Sequence, residues 1–271
     1  MPVKINKKLW LWLGIGIAAA ALLAAILVFL LPRQTPTPPE TEPTTLPTLA
    51  TNPITTQDFA YDGDYLTCLT RESVLGIDVS SLQKEIDWQQ VKAAGVEFVM
   101  IRLGYRGSIE GKLETDTYAQ ANYAGAKAAG LQVGGYIFTQ SISVEEGLED
   151  ADLVLEMVKD WELDLPLVYD WEIVKPHYRN GSLDKRTLTD IMLAFCEKVE
   201  NAGHKAMVYF NITQTRENFF PEELTDYGFW LANYSDTLDF PYQVDMWQYT
   251  NTGAVPGITG DVDINLYFPE A

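Results

Sequence analysis

Thiol and imidazole side chains are scarce in this chain: its 271 residues hold two cysteines and two histidines. Cys68 and Cys196 lie far apart, and His177 and His204 stand alone, so no metal site is expected. Basic residues are thin as well, 19 against 38 acids, for a formal net charge of −19. Nucleic acid is bound by neutralising its phosphates with Lys and Arg, so that partner is excluded. The charge also opposes nonspecific adhesion to anionic polymers, and a substrate of that kind must be gripped by local groups. A Cys68–Cys196 disulfide is permitted outside a membrane. A buried free thiol in the helical pattern around Cys196 is equally ordinary.

What the N-terminal region lacks is any charge between Leu9 and Leu31. These 23 residues exceed the roughly 20 that cross a bilayer as a helix. Lys4, Lys7 and Lys8 before them favour a cytoplasmic N-terminus. A cleaved signal peptide would have an apolar core of roughly 7–15 residues and a small-residue cleavage site, and Phe29-Leu30-Leu31-Pro32-Arg33 offers none. The expectation is residues 1–8 in the cytoplasm, a single-pass signal-anchor helix at 9–31, and the remainder outside the cell membrane. Pro32 to Thr56 is rich in Pro and Thr with almost no apolar content, the composition of a semi-extended spacer. A linker is therefore expected over 32–72 and a folded domain over 73–271.

From Val74 onward, short apolar runs alternate with amphipathic stretches. Three joints repeat: Ala93-Ala94-Gly95, Ala128-Ala129-Gly130 and Asn201-Ala202-Gly203 each precede an apolar run, as a helix stopped by glycine precedes a strand. Val144, Leu148, Ala151, Leu155 and Val158 recur at helical spacing, as do Leu188, Ile191, Phe195, Val199 and Ala202. Strands are expected near 74–79, 98–104, 132–139, 165–172 and 205–211. Three more follow with little room for helices between them, within 229–234, 244–249 and 262–267. This pattern suits a parallel barrel whose last part has lost its helices. An open doubly wound sheet is disfavoured, because no Gly-x-Gly-x-x-Gly loop follows the first strand.

Asp170 and Glu172, one residue apart, close the apolar run Leu165-Pro166-Leu167-Val168-Tyr169. Side chains alternate across a strand, so both acids share one side, roughly 6–7 Å apart along the backbone. Acids that close split their pKa values, and a proton donor beside an anion is what glycosidic cleavage needs. Asp78 ends the first strand in Gly76-Ile77-Asp78-Val79-Ser80, and Asp245 and Asp263 lie in the seventh and eighth runs. One Asp in such a run is ordinarily an edge or turn residue. Four strands carrying acid at comparable positions point instead to an acidic pocket at the C-terminal rim of a barrel. Of the aromatics, Tyr136, Tyr209 and Trp247 are candidates to stack on sugar rings. Asn211 and Asn233 suit sugar hydroxyls or N-acetyl groups, and suit turns equally well.

Taken together, several segments resemble family 25 glycoside hydrolases, the Chalaropsis-type N-acetylmuramidases. They are Gly76-Ile77-Asp78-Val79-Ser80-Ser81, Asp87-Trp88, Asp170-Trp171-Glu172, Asp245-Met246-Trp247-Gln248-Tyr249, and Val255-Pro256-Gly257-Ile258 with Val262-Asp263-Ile264-Asn265. The likeness runs in order and spacing from Val74 to Phe268. It implies an α/β, TIM-like (β/α)5(β)3 barrel with five helices, no cofactor, and cleavage of the β-1,4 bond between N-acetylmuramic acid and N-acetylglucosamine. By matching position it implies Glu172 as general acid. Asp170 would orient or polarise the 2-acetamido group, or serve as the second carboxylate. Asp78, Asp245 and Asp263 would complete the site. Many members continue the first motif with His-Gln-Gly; here Leu82-Gln83-Lys84 stands instead, which removes a polar ring from the rim.

The expected whole is a monomeric peptidoglycan hydrolase, held in the membrane through residues 9–31 and acting on glycan strands outside the cell. A non-catalytic peptidoglycan-binding scaffold is the alternative, and the intact carboxylates argue against it. A chitinase-like hydrolase would need Asp-x-x-Asp-x-Asp-x-Glu, but Leu167, Val168 and Tyr169 precede Asp170.

Overall fold

Gly95, Gly130 and Gly203, the residues at the three repeated joints, take φ values of 95°, 77° and 91°. Each lets a helix end and the chain turn into a strand, a conformation that a Cβ would penalise. In the computed structural model, residues 48–174 and 179–269 are described. A hairpin comes first, β1 (Phe59–Asp62) and β2 (Tyr65–Cys68). It is followed by β3 (Val74–Val79), α1 (Trp88–Ala93), β4 (Phe98–Arg106), β5 (Leu113–Thr115), α2 (Ala119–Ala128) and β6 (Gln132–Thr139). The second half runs α3 (Val144–Val158), β7 (Leu167–Trp171), α4 (Lys185–Asn201), β8 (Ala206–Asn211), α5 (Ile212–Glu217), β9 (Gly228–Ala232), β10 (Met246–Gly253) and β11 (Val262–Tyr267).

Eight of these strands close on themselves in the order β3-β4-β6-β7-β8-β9-β10-β11, and β11 pairs back to β3. Seven run parallel; β11 is antiparallel to both neighbours. This is the expected eight-stranded barrel, with five α-helices among the described residues. Helix starts are set by side chains that accept the orphan amides of the first turn. Asp87 caps α1, Ser143 caps α3 and Asp184 caps α4.

Strand parity sorts the apolar residues into two layers. Phe98, Met100, Val168, Met207, Trp230 and Met246 fill the barrel interior. Val99, Ile101, Tyr169 and Trp171 face outward into the layer beneath the helices, where the Tyr169 ring lies 4.6 Å from that of Phe195 on α4. A Cβ on Gly76 would lie 2.2 Å from the Phe98 ring, so glycine there makes room for the plug of the barrel floor.

Three expectations need revision or bounding. The stretch from 48 to 72, read as the distal part of a linker, is built onto the barrel. Thr51 bridges to Tyr242, Asn52 N–H donates to the Pro241 carbonyl at 2.9 Å, and the β1–β2 hairpin lays Phe59 against Trp247 with ring centroids 4.9 Å apart. Alternating Tyr65-Leu66-Thr67-Cys68 buries Leu66 and Cys68, a two-residue period that the Pro/Thr-rich composition upstream conceals. Cys68 and Cys196 are both buried free thiols. The membrane span at 9–31 and His177 lie outside the described residues, and no described helix is long and apolar enough to cross a membrane. Lys84, in the departure from the family motif, adopts φ 57°.

Candidate active site

At the C-terminal ends of the parallel strands lies a cavity of about 290 Å³, lined by Asp78, Asp170, Glu172 and Asp263 together with Arg102, Tyr136, Tyr209, Trp230, Tyr234 and Gln248. Asp78 reaches it from β3 and Asp170 from β7, with Glu172 one residue past the strand end on the same side. Asp263 comes from β11 and is paired in register with Asp78.

The acids are held by a network that the barrel interior supplies. Oδ2 of Asp78 accepts from Gln248 Nε2 at 2.8 Å and Asn265 Nδ2 at 2.9 Å. Each amide is oriented in turn by an aromatic donor. The Tyr209 and Tyr234 hydroxyls donate to Gln248 Oε1, both at 3.1 Å, and Trp230 Nε1 donates to Asn265 Oδ1 at 2.9 Å. The backbone around Glu172 is clamped as well. Asn180 Nδ2 donates to the Glu172 carbonyl at 2.8 Å, and Gln214 Nε2 donates to the Trp171 carbonyl at 2.8 Å. Trp171 points away from the two acids and donates its indole N–H to the Ser141 carbonyl at 3.0 Å.

Asp170 Oδ1 is buried and has no hydrogen-bond partner among the described residues, a costly state unless a ligand supplies the donor. Burial and then the neighbouring Glu172 and Asp78 push the Asp170 carboxyl well above the ordinary carboxylate range, while Arg102 pulls it back. Asp78 is raised first by burial and then by Asp263, and its two amide donors oppose the rise. Burial raises Glu172, with Asp263 adding to it, and burial lifts Asp263 to about 6. Burial thus raises the proton affinity of all four acids in this one cavity, and repulsion adds to the rise at Asp78, Asp170 and Glu172.

Tyr136 and Tyr209 line this cavity as read from the sequence. Asn211 and Asn233 line an adjoining cavity of about 890 Å³ that shares Glu172, Tyr209 and Tyr234 with the first. Both asparagines also serve turns: Asn211 caps α5, and Asn233 Nδ2 donates to the Thr237 carbonyl at 3.5 Å. Asp245 and Trp247 are elsewhere. Asp245 precedes a parallel strand, so it sits at the barrel floor, where its carboxylate accepts the Phe229 N–H at 2.7 Å. Asp263 occupies the equivalent start of an antiparallel strand, which lifts it to the mouth. Trp247 falls on the outer parity of β10, fully buried, with Nε1 donating to the Asn233 carbonyl at 2.9 Å.

Arg102, Gln248, Asn265, Trp230 and Tyr234 were not assigned to the site from the sequence, although Gln248 and Asn265 lie in the segments that resemble the family. Alternation carried a signal for three of them: Arg102 follows Phe98 and Met100 on the inward parity, Gln248 follows Met246, and Asn265 follows Asp263. Polar side chains at those positions must point into the barrel. Among the described residues no cluster of His, Cys, Asp and Glu has metal-binding geometry.

A half-buried carboxyl of raised proton affinity, flanked by further carboxylates and aromatic walls at the mouth of a β/α barrel, is the arrangement of a glycoside hydrolase. The profile described as glycosyl hydrolases family 25 matches residues 77–258. Lysozyme M1 of Streptomyces globisporus is 30% identical over 207 residues, covering 72% of this chain and 67% of that protein. The modular autolysin LytC from Streptococcus pneumoniae, solved in complex with a synthetic peptidoglycan ligand, is similar at TM-score 0.63 and 26% identity, covering 73% of this chain and 47% of LytC. The chain thus spans about half the length of LytC. The bacterial lysozyme from Streptomyces coelicolor is similar at TM-score 0.60 and 26% identity, covering 73% of this chain and 94% of that one. The chain belongs to glycosyl hydrolase family 25.

Proposed function

We propose that this protein cleaves the β-1,4 bond between N-acetylmuramic acid and N-acetylglucosamine in peptidoglycan. Glu172 is the general acid, and Asp170 assists. The observation that carries this reading is the convergence of Asp78, Asp170, Glu172 and Asp263 on one cavity, where burial and Asp263 raise the proton affinity of Glu172. Glu172 gives its proton to the glycosidic oxygen as the bond breaks, and the neighbouring carboxylates stabilise the positive charge that develops on the sugar. Water then adds to the anomeric carbon and returns a proton to Glu172. The unpartnered Oδ1 of Asp170 suits the N–H of a 2-acetamido group. Lysozyme M1 and the peptidoglycan-ligand complex of LytC support the substrate class.

The test is release of reducing ends from purified peptidoglycan, with the products identified by mass spectrometry. Glu172→Gln is expected to fold normally and lose nearly all release; a variant with wild-type turnover would overturn the assignment. Residues 9–31 are proposed to anchor the protein in the cell membrane with its barrel outside, as a monomer. Protease added to intact cells should degrade the barrel, and carbonate washing should leave the protein in the membrane fraction. Protection of the barrel or extraction by carbonate would reject the anchor.

A further inference from the structure

We infer that the leading hairpin adds a subsite to the barrel mouth, which takes a neutral N-acetylhexosamine unit of the same glycan strand that occupies the catalytic cavity. The inference rests on the muramidase reading above. The hairpin lies ahead of residue 77, where the family match begins. Its inner side is pinned to β10 by Phe59 against Trp247, and the Leu66 N–H donates to the Tyr249 hydroxyl at 3.4 Å. Between hairpin and barrel it leaves a cavity of about 680 Å³, walled by Tyr61, Tyr65, Tyr234, Asp236 and Asn251 among others.

Three features of this cavity point to a sugar. Tyr61 is 56% exposed and Tyr234 53% exposed, yet both hydroxyls are tethered, Tyr61 to Asp236 Oδ1 at 2.7 Å and Tyr234 to Gln248 Oε1 at 3.1 Å. A ring held by its hydroxyl has little rotamer freedom left to lose when an apolar sugar face stacks on it. Next, the wall offers carboxylates, an amide and hydroxyls but no Lys or Arg, which suits hydroxyl and amide donors and disfavours phosphate or free carboxylate. Finally, Tyr234 lines both this cavity and the catalytic one, so one strand can run through both.

The experiment compares Tyr61→Ala with wild type on two substrates: glycan strands freed of stem peptides, and a tetrasaccharide of two disaccharide units. The kcat/KM preference for the long strand over the tetrasaccharide should fall about five- to tenfold, the scale of one stacking contact. Tyr61→Phe, which keeps the ring, should retain most of that preference. An unchanged preference would overturn the subsite. So would an equal loss on both substrates, or a loss confined to strands still carrying stem peptides. Sedimentation with insoluble peptidoglycan separates this failure from failure of the muramidase reading. If wild type binds without cleaving and Tyr61→Ala weakens binding about five- to tenfold, the subsite stands and the enzymatic reading falls. If wild type neither binds nor cleaves, both fall.

Discussion

Asp150 and Asp170 are both buried carboxylates, one on α3 and the other in β7, and burial raises the proton affinity of each. Their neighbours then act in opposite senses. Asp150 Oδ1 accepts from Arg106 Nε at 2.9 Å, and its Oδ2 accepts from the Thr139 and Ser141 hydroxyls. Arg106 is itself buried and spends its remaining donors on the Gly111 and Glu146 carbonyls and on Glu149. Asp170 has Glu172 and Asp78 for company and an oxygen with no partner. The first arrangement locks α3 to the sheet; the second is a cost that the fold carries until a ligand meets it. Burial alone therefore does not mark a functional acid. Like-charged neighbours and a spare acceptor are what set Asp170 apart from Asp150.

The largest effect expected from this contrast is chemical. Glu172→Gln should reduce release of reducing ends by about 10²–10⁴-fold, the range for loss of a general acid, with the thermal melt unchanged or raised. A melt that collapses with the activity would put Glu172 in the structural class with Asp150. Next is the paired acid. Arg106→Met strands Asp150 as an uncompensated buried charge and should cost about 3–5 kcal/mol in urea unfolding. A loss below about 1 kcal/mol would show that the two acids are not so different.

Smaller, and opposite in sign, is Asp263→Asn. The folded carboxyl titrates near 6 against an ordinary 3.8, so protonation favours the fold fully below the lower value. That advantage is lost as pH rises through 6. Discounted for partial exposure, removal of the charge should stabilise the protein by about 1 kcal/mol at pH 7.5 and by nothing near pH 4. Equal melts at both pH values would remove charge crowding from the account. Smallest is Lys84→Gly, which relieves a left-handed residue at φ 57° and should gain about 0.5–1 kcal/mol in the same urea assay. A loss there would mean that the Lys84 side chain contributes more than its backbone costs.

Strand number, helix positions and the Asp170–Glu172 pair were legible because they depend on periodicity, which a chain displays locally. The errors came where direction matters. Asp245 and Asp263 begin apolar runs that read alike, and only the pairing of β11 against β3 and β10 decides that one acid lies at the floor and the other at the mouth. The hairpin was hidden for a related reason: four-residue strands offer too short a pattern to outweigh the Pro- and Thr-rich stretch ahead of them. Arg102 was visible by parity but had no motif to attract notice.

Thr48, Leu49 and Ala50 lie beside Gly228, Phe229 and Asp245 at the floor of the barrel, the end opposite the carboxyl cluster. A bead, tag or surface joined directly at these residues would thus leave the cleft unobstructed toward insoluble material. The same attachment made through the loops that follow β7 or β9 would block it.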